Sequence, residues 1–328
     1  MTEKRVELIK EIEKARGSKL LCYVTGDRPG LQTLIADDAV RVLYSNLETL
    51  GDCDQLDLFL YSRGGQTLAP YRMVNLIREY CKNFSVLVPY RAHSAATLLC
   101  LGANEIVMGR LGELSPVDPS AANPFNPANP ANPMNPLPIS VEDVTSYFML
   151  AKEKASLTQQ DSMAEVFKAL TEKVHPLALG NIQRSHSLIR LLAHNLLALH
   201  MDPKQKTKID TIVETLTEKL YTHDYAITRH EAKNTLGLKV VYPEPELDQA
   251  MWKLYEQYEK DLAIREPLNP LTILGDNSSS ADFSYVGAVI ESVQRSDTFH
   301  IEGTITRTPN PAVPFFVALK AQEWRNTR

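Results

Sequence analysis

The sequence predicts an α/β protein built on a parallel sheet, and three observations carry that prediction. Short apolar runs of strand length, KLLCYVT (19–25), QLDLFLYS (55–62), FSVLVPY (84–90) and EIVMG (105–109), recur along the first third of the chain. Stretches of helical patterning separate them, which supplies the crossovers that parallel strands require and the helices that cover both sheet faces. Turn-forming or small residues stand at the carboxyl ends of the strands: Gly64 and Gly65 after the second, Pro89 and then Ser94 after the third. In sheets of this kind ligands bind beyond the carboxyl ends of the strands.

Each element has its own justification. Residues 3–16 read as a charged surface helix, and KLLCYVT as the first strand, closed by the turn GDRPG. DDAVRVLYSNLETL (37–50) places Val40, Val42, Leu43, Leu47 and Leu50 in a roughly helical stripe. LAPYRMVNLIREYC (68–81) continues as a helix, and SAATLLCLGA (94–103) reads as a buried helix without any charge. Residues 140–222 are helical in pattern, broken by HPLALGN and by MDPK at 201–204. The apolar stretch LIRLLAHNLLALH (188–200) is expected to pack on the sheet, with His186, His194 and His200 in helix-surface or core roles. Thr228, followed three residues on by Glu231, has the capping-box pattern; Gly237 ends that helix, and LKVVY (238–242) returns as a strand. A charged helix (248–263) and two late strands, FSYVGAVIESV (283–293) and TFHIEGTITRT (298–308), complete the chain.

Composition narrows the function. With 328 residues, 44% hydrophobic and 23% charged, the chain has the make-up of a soluble globular protein. A net charge of −5 gives no electrostatic footprint for nucleic acid. Cys22, Cys53, Cys81 and Cys100 lack CxxC or Cys/His spacing and read as buried thiols of a reduced compartment, neither a disulfide frame nor a zinc site. The amino-terminal stretch MTEKRVELIKEIEKARGSK lacks the apolar centre of a signal peptide, and no window approaches the roughly eighteen apolar residues of a membrane span. A cytosolic protein is therefore expected. No GxGxxG follows a strand, so no nicotinamide site is expected either.

The residues that carry chemistry cluster around Ser94. Serine is a favoured helix N-cap, which by itself accounts for Ser94 at the head of an apolar helix. A serine at a strand-to-helix turn also suits a nucleophile, provided that a base, an orienting acid and oxyanion donors meet it. The Gly64-Gly65 pair after a strand and the amide of Ala95 are the candidate oxyanion donors. SAANPFNPANPANPMNPLP (120–138) carries five Asn-Pro dipeptides, which disfavour helix and leave either a disordered surface loop or a lid or oligomer-contact loop beside the site.

The ordered set QLDLFLYSRGGQT, VLVPYRAHSAATLLCLGANEIVMG and LSPVDP, followed late in the chain by THDYAITRHEAKNTLGLKV, resembles the ClpP/crotonase superfamily. Within it the sequence is most similar to the serine dehydrogenase proteinase family, related to ClpP and to signal peptide peptidase A. The resemblance covers about residues 18–242. It implies a ClpP/crotonase-like core of ββα repeats, a serine protease acting on polypeptides without metal or organic cofactor, and a homo-oligomer. The family's triad runs Ser, Asp, His, whereas that of ClpP runs Ser, His, Asp. Where ClpP carries its histidine, this chain has SPVDP with Asp118; where ClpP carries its aspartate, it has His223-Asp224. The resemblance thus implies Ser94 as nucleophile, His223 as general base and Asp118 as its orienter. One departure is Arg63, which stands before the Gly-Gly where a proline or small residue is usual, with Arg91 as a second cation nearby.

Rivals remain at this point. His93 and His175 are alternative bases, Asp224 an alternative acid, and Lys152 or Lys154 the fallback for a Ser-Lys dyad. The same fold would also serve a crotonase-type enzyme acting on an acyl thioester, or an inactive scaffold. The expected organisation is an amino-terminal helix (1–17), a ClpP-like core (18–242) containing the Asn-Pro loop, and a carboxyl-terminal helix and β extension (243–328).

Overall fold

Thr2 accepts the Arg5 amide through its hydroxyl and opens the first helix, α1 (Glu3–Arg16), which Gly17 closes in the left-handed region at φ 63°. In the computed structural model, residues 2–117, 124–129, 136–137, 139–220, 222–275, 278–310 and 313–328 are described. They fall into two compact units, one of Met1–Leu114 with Ala226–Arg328, the other of Ser115–Tyr225.

The first unit continues with β1 (Lys19–Thr25), the short pair β2 (Asp27–Arg28) and β3 (Leu31–Gln32), α2 (Asp38–Leu50) and β4 (Cys53–Tyr61). Next come α3 (Leu68–Tyr80), β5 (Cys81–Val88), β6 (Arg91–Ala92), α4 (Ala95–Leu101), β7 (Glu105–Met108) and β8 (Glu113–Leu114). The second unit holds α5 (Val141–Met149), α6 (Gln160–Thr171), α7 (Pro176–Ala198) and α8 (Lys206–Glu214), with π-helical turns at Leu150–Lys154 and Thr215–Lys219. The chain returns to the first unit with β9 (Ile227–Thr228), α9 (Arg229–Asn234), β10 (Val240–Val241), α10 (Pro245–Asp261) and α11 (Pro270–Leu274). It ends on β11 (Ser280–Glu291), β12 (Ser296–Arg307) and β13 (Phe315–Asn326).

The main sheet has the order β10-β7-β5-β4-β1-β11-β12-β13. Pairing is parallel from β10 to β1 and antiparallel from β1 to β13. The four strands expected from the early apolar runs are therefore neighbours, joined by helical crossovers, and the fold is a mixed α/β one of ClpP-like type. A smaller sheet, β6-β8-β9, stands beside the carboxyl ends of β4 and β5. β13 has no counterpart in the sequence reading. It is an edge strand whose side chains are mostly exposed, so the alternation that betrays a half-buried strand is missing.

Both faces of the parallel strands are covered. Residues 3–16 were expected on the surface, yet α1 buries Leu8, Ile9 and Ile12 against α10, and together these helices cover Cys22, Val24, Phe59 and Leu87. The alternate residues Leu21, Leu58, Leu60 and Val86 are equally buried and face the other way, where α3 and α4 pack on β5. In the second unit α7 buries Ile182, Ile189, Ala193 and Leu196 along one stripe and packs on α5 and α8. Of the Asn-Pro run, the described part is pinned: Asn126 Nδ2 donates to Leu137 O at 2.9 Å, and Leu137 N to Pro127 O at 2.9 Å. Among the described residues no helix is long and apolar enough to cross a membrane.

One buried charge joins the two ends of the chain. Glu291, on β11, is fully buried and lies 2.8 Å from Arg5 Nε; it accepts from the Tyr258 and Ser296 hydroxyls at 2.7 Å each. Arg5 also pairs with Asp261 and lies over the Tyr258 ring at 5.2 Å. This cluster locks α1, α10 and the β11–β12 turn together. Removing one partner of such a pair leaves the other charge buried and alone. Arg5→Ala is therefore expected to cost about 3–5 kcal/mol of unfolding free energy, read as a lower urea midpoint.

Candidate active site

The site begins where two strands end. Beyond β4 the chain runs Ser62-Arg63-Gly64-Gly65; beyond β5 it runs Pro89 to Ser94. These segments lie side by side, because Ser62 N donates to Arg91 O and His93 N to Ser62 O, each at 3.0 Å. That register sets Gly64 against Ser94. Gly64 has φ 110°, and a Cβ there would stand 2.7 Å from Ser94 Cβ and 3.2 Å from its Oγ. Gly65 has φ 150°, and a Cβ on it would lie 2.1 Å from Ile35 O. Ile35 N donates to Gly64 O and Gln66 N to Ile35 O, both at 2.8 Å. The pair is glycine because the Ile35 backbone crowds Gly65 and the Ser94 side chain with the His93 carbonyl crowds Gly64. Beneath it the buried Ser62 hydroxyl accepts from Gly64 N at 3.1 Å and from Thr25 Oγ1 at 2.8 Å.

Ser94 is not an ordinary cap. It precedes α4 with φ 53° and ψ −114°, and its side chain makes no capping hydrogen bond. A capping serine has extended backbone and an oxygen on a first-turn amide; Ser94 has neither. A non-glycine residue held in such a region costs on the order of 1–3 kcal/mol and persists only where its surroundings over-determine it. A strained serine on a sharp strand-to-helix turn is the arrangement of a nucleophile elbow. Among the described residues neither Gly65 N nor Ala95 N donates a hydrogen bond, whereas Gly64 N is engaged by Ser62.

A polar network flanks the serine. Glu113 Oε1 lies 3.1 Å from Arg91 Nε and 3.1 Å from His93 Nε2. Burial works against ionisation of Glu113, but His93 and then Arg91 more than offset it, and the carboxyl is held below the usual glutamate range. Arg91 NH1 lies 3.7 Å from Asp27, which accepts the Tyr61 hydroxyl at 2.8 Å. Arg63 is exposed.

The expected residues are thus distributed over both units. Gly64, Gly65, Ser94 and Ala95 meet in the first unit. His223 and Asp224 occupy an exposed turn of the second unit, closed by Tyr225 N on Thr222 O at 3.2 Å, and Asp118 lies outside the described residues. Of the rival bases, His175 caps α7, its Nδ1 accepting from Leu177 N at 3.2 Å, and stacks on Phe125. Lys152 and Lys154 are exposed on the π-helical turn of the second unit. Nothing in the sequence pattern marks Ser62, Ile35 or Glu113, whose roles depend on register between distant segments.

The family described as ClpP-like SDH-type serine proteinase matches residues 1–173, more than half of the chain. The chain belongs to this family. The matched span of the SDH-type chain includes the Gly-Gly turn, Ser94 and Glu113. Two relatives from Methanocaldococcus jannaschii, both uncharacterized proteins, align along most of their length. MJ1495 is 24% identical over 261 residues, covering 77% of each chain. MJ0137 is 25% identical over 260 residues, covering 77% of this chain and 79% of its own.

Two outcomes follow from the geometry. Gly65→Ala is expected to cost about 1–3 kcal/mol more than Gly17→Ala. Both glycines have positive φ, but a Cβ at Gly17 meets nothing within 4 Å; urea denaturation of the two variants reads the difference. The depressed folded-state value of Glu113 means that its contribution is present above the ordinary carboxylate value and is lost as pH falls through the lowered one. A carbon-detected NMR titration is expected to place the Glu113 midpoint below that of an unstructured glutamate.

Proposed function

We propose that the protein is a serine peptidase that hydrolyses peptide bonds through an acyl-enzyme on Ser94. The observation that carries this reading is the Ser94 backbone, held at positive φ at the head of α4 with no cap to account for it. The family to which the chain belongs supports the same class of reaction.

In the proposed mechanism His223 takes the Ser94 hydroxyl proton as Oγ attacks the scissile carbonyl, and Asp118 orients the imidazole. The carbonyl electron pair moves onto oxygen, and the amides of Gly65 and Ala95 donate to that oxyanion. When the pair returns, the C–N bond breaks and His223 gives its proton to the leaving amine. Water then adds to the ester carbonyl with His223 again as base, and Ser94 is released with its proton restored. The substrate is a polypeptide, and assembly into a homo-oligomer belongs to the same reading; light scattering at several concentrations tests it. A thioester enzyme would draw on the same two amides but would leave the strain at Ser94 without a use.

Mass-spectrometric mapping of a fluorophosphonate adduct tests the reading. Wild type is expected to carry the adduct on Ser94, Ser94→Ala none, and His223→Ala to react more slowly by roughly 10²–10⁴-fold. A folded wild type that stays unlabelled, or that is labelled elsewhere, would overturn it.

A further inference from the structure

Ser94 has two conformations open to it in principle. In the relaxed one it becomes an extended N-cap whose oxygen is tied to a first-turn amide; in the strained one it is free of that bond. Something outside the turn must hold it in the second. We infer that Glu113 is the positioning residue that does so, gripping both neighbours of Ala92 and thereby fixing the backbone that leads into Ser94. The inference rests on Ser94 being the nucleophile.

Glu113 is well placed for this work. Its strand, β8, is supported on one side by β9 and pairs on the other with β6, in the register Arg91↔Glu113 and Ala92↔Leu114. Its own amide donates to Tyr90 O at 2.7 Å, so the main chain is anchored one residue before the segment it holds. From there a single carboxylate oxygen receives Arg91 and His93, at 3.1 Å each. Arg91 is held from its other side by the Tyr90 ring at 4.3 Å and by Asp27. His93 has no second side-chain tether among the described residues. Its carbonyl accepts from Ala96 N at 2.9 Å and its amide donates to Ser62, so a shift of His93 is transmitted directly to Ser94. Charge-assisted hydrogen bonds to one oxygen are strong and directional, as a clamp on a strained turn requires.

The test uses the full-length protein and the rate of fluorophosphonate capture at Ser94. Glu113→Ala is expected to lower the maximal capture rate by about tenfold or more, with the half-saturating probe concentration unchanged, as befits lost positioning. Glu113→Gln, which keeps an oxygen acceptor for both donors, is expected to recover to within about threefold of wild type. A crystal structure of Glu113→Ala is expected to show Ser94 relaxed to extended φ with its oxygen on a first-turn amide. Capture of Glu113→Ala at the wild-type rate, equal losses in the alanine and glutamine variants, or Ser94 still near φ 53° would each overturn the inference. If Glu113→Ala does not fold, His93→Ala decides, with a several-fold slower capture expected and an unchanged rate contradicting it. A wild type that is never captured refutes the nucleophile itself, while the Ser94 backbone in the variant crystal still decides whether Glu113 holds the turn.

Discussion

The structure turns on one close approach: the backbone of Gly64-Gly65 wedged between the backbone of Ile35 and the strained turn at Ser94. No side chain fits on either glycine, and the contacts of 2.1 Å and 2.7 Å that a Cβ would make show how little room is left. Everything that frames the candidate site serves this contact. The parallel register of β4 and β5 brings both post-strand segments to the same end of the sheet. Ser62 and Thr25 fill the space beneath the glycines with hydroxyls, and Glu113 steadies the opposite wall. A sheet of this type supplies the location, and the glycines supply the closeness.

Buried charge is used in two ways in the first unit. Glu291 with Arg5, and Asp57 with Arg16, are structural: Asp57 is fully buried and accepts from Arg16 Nε at 2.7 Å and Ser18 Oγ at 2.9 Å. Each ties a terminal segment or helix to the sheet, and each has its hydrogen bonds largely met. Glu113 is only partly buried and lies at the carboxyl ends of the strands, where its partners flank the serine instead of joining distant elements. The difference in place explains why the first two stabilise the scaffold and the third bears on the site.

Much of this was legible in the sequence, for reasons that are local. β1, α1, α2 and the Ser94 turn follow from apolar runs, capping residues and glycines whose effects act within a few residues. The Gly-Gly pair and Ser94 were recognisable because they sit at strand ends, and the family followed from their order. Three features resisted. β13 is an exposed edge strand and lacks a period. α1 reads as a surface helix because its charges outnumber the apolar stripe that α10 covers. The grips of Ser62 and Glu113 arise from register between segments far apart in sequence. The N-cap reading of Ser94, reasonable from residue type alone, fails on a backbone angle that no sequence pattern displays. His223 and Asp118 were carried from the family's order of residues and draw no support from spacing; His223 belongs to the helical unit, and Asp118 lies outside the described residues.

The most direct measurement is a crystal structure of the protein after fluorophosphonate treatment. The account predicts phosphorus bonded to Ser94 Oγ, positive φ at Ser94, and a phosphoryl oxygen about 2.7–3.1 Å from both Gly65 N and Ala95 N. A phosphoryl oxygen turned to solvent, with those two amides engaged elsewhere, would contradict it.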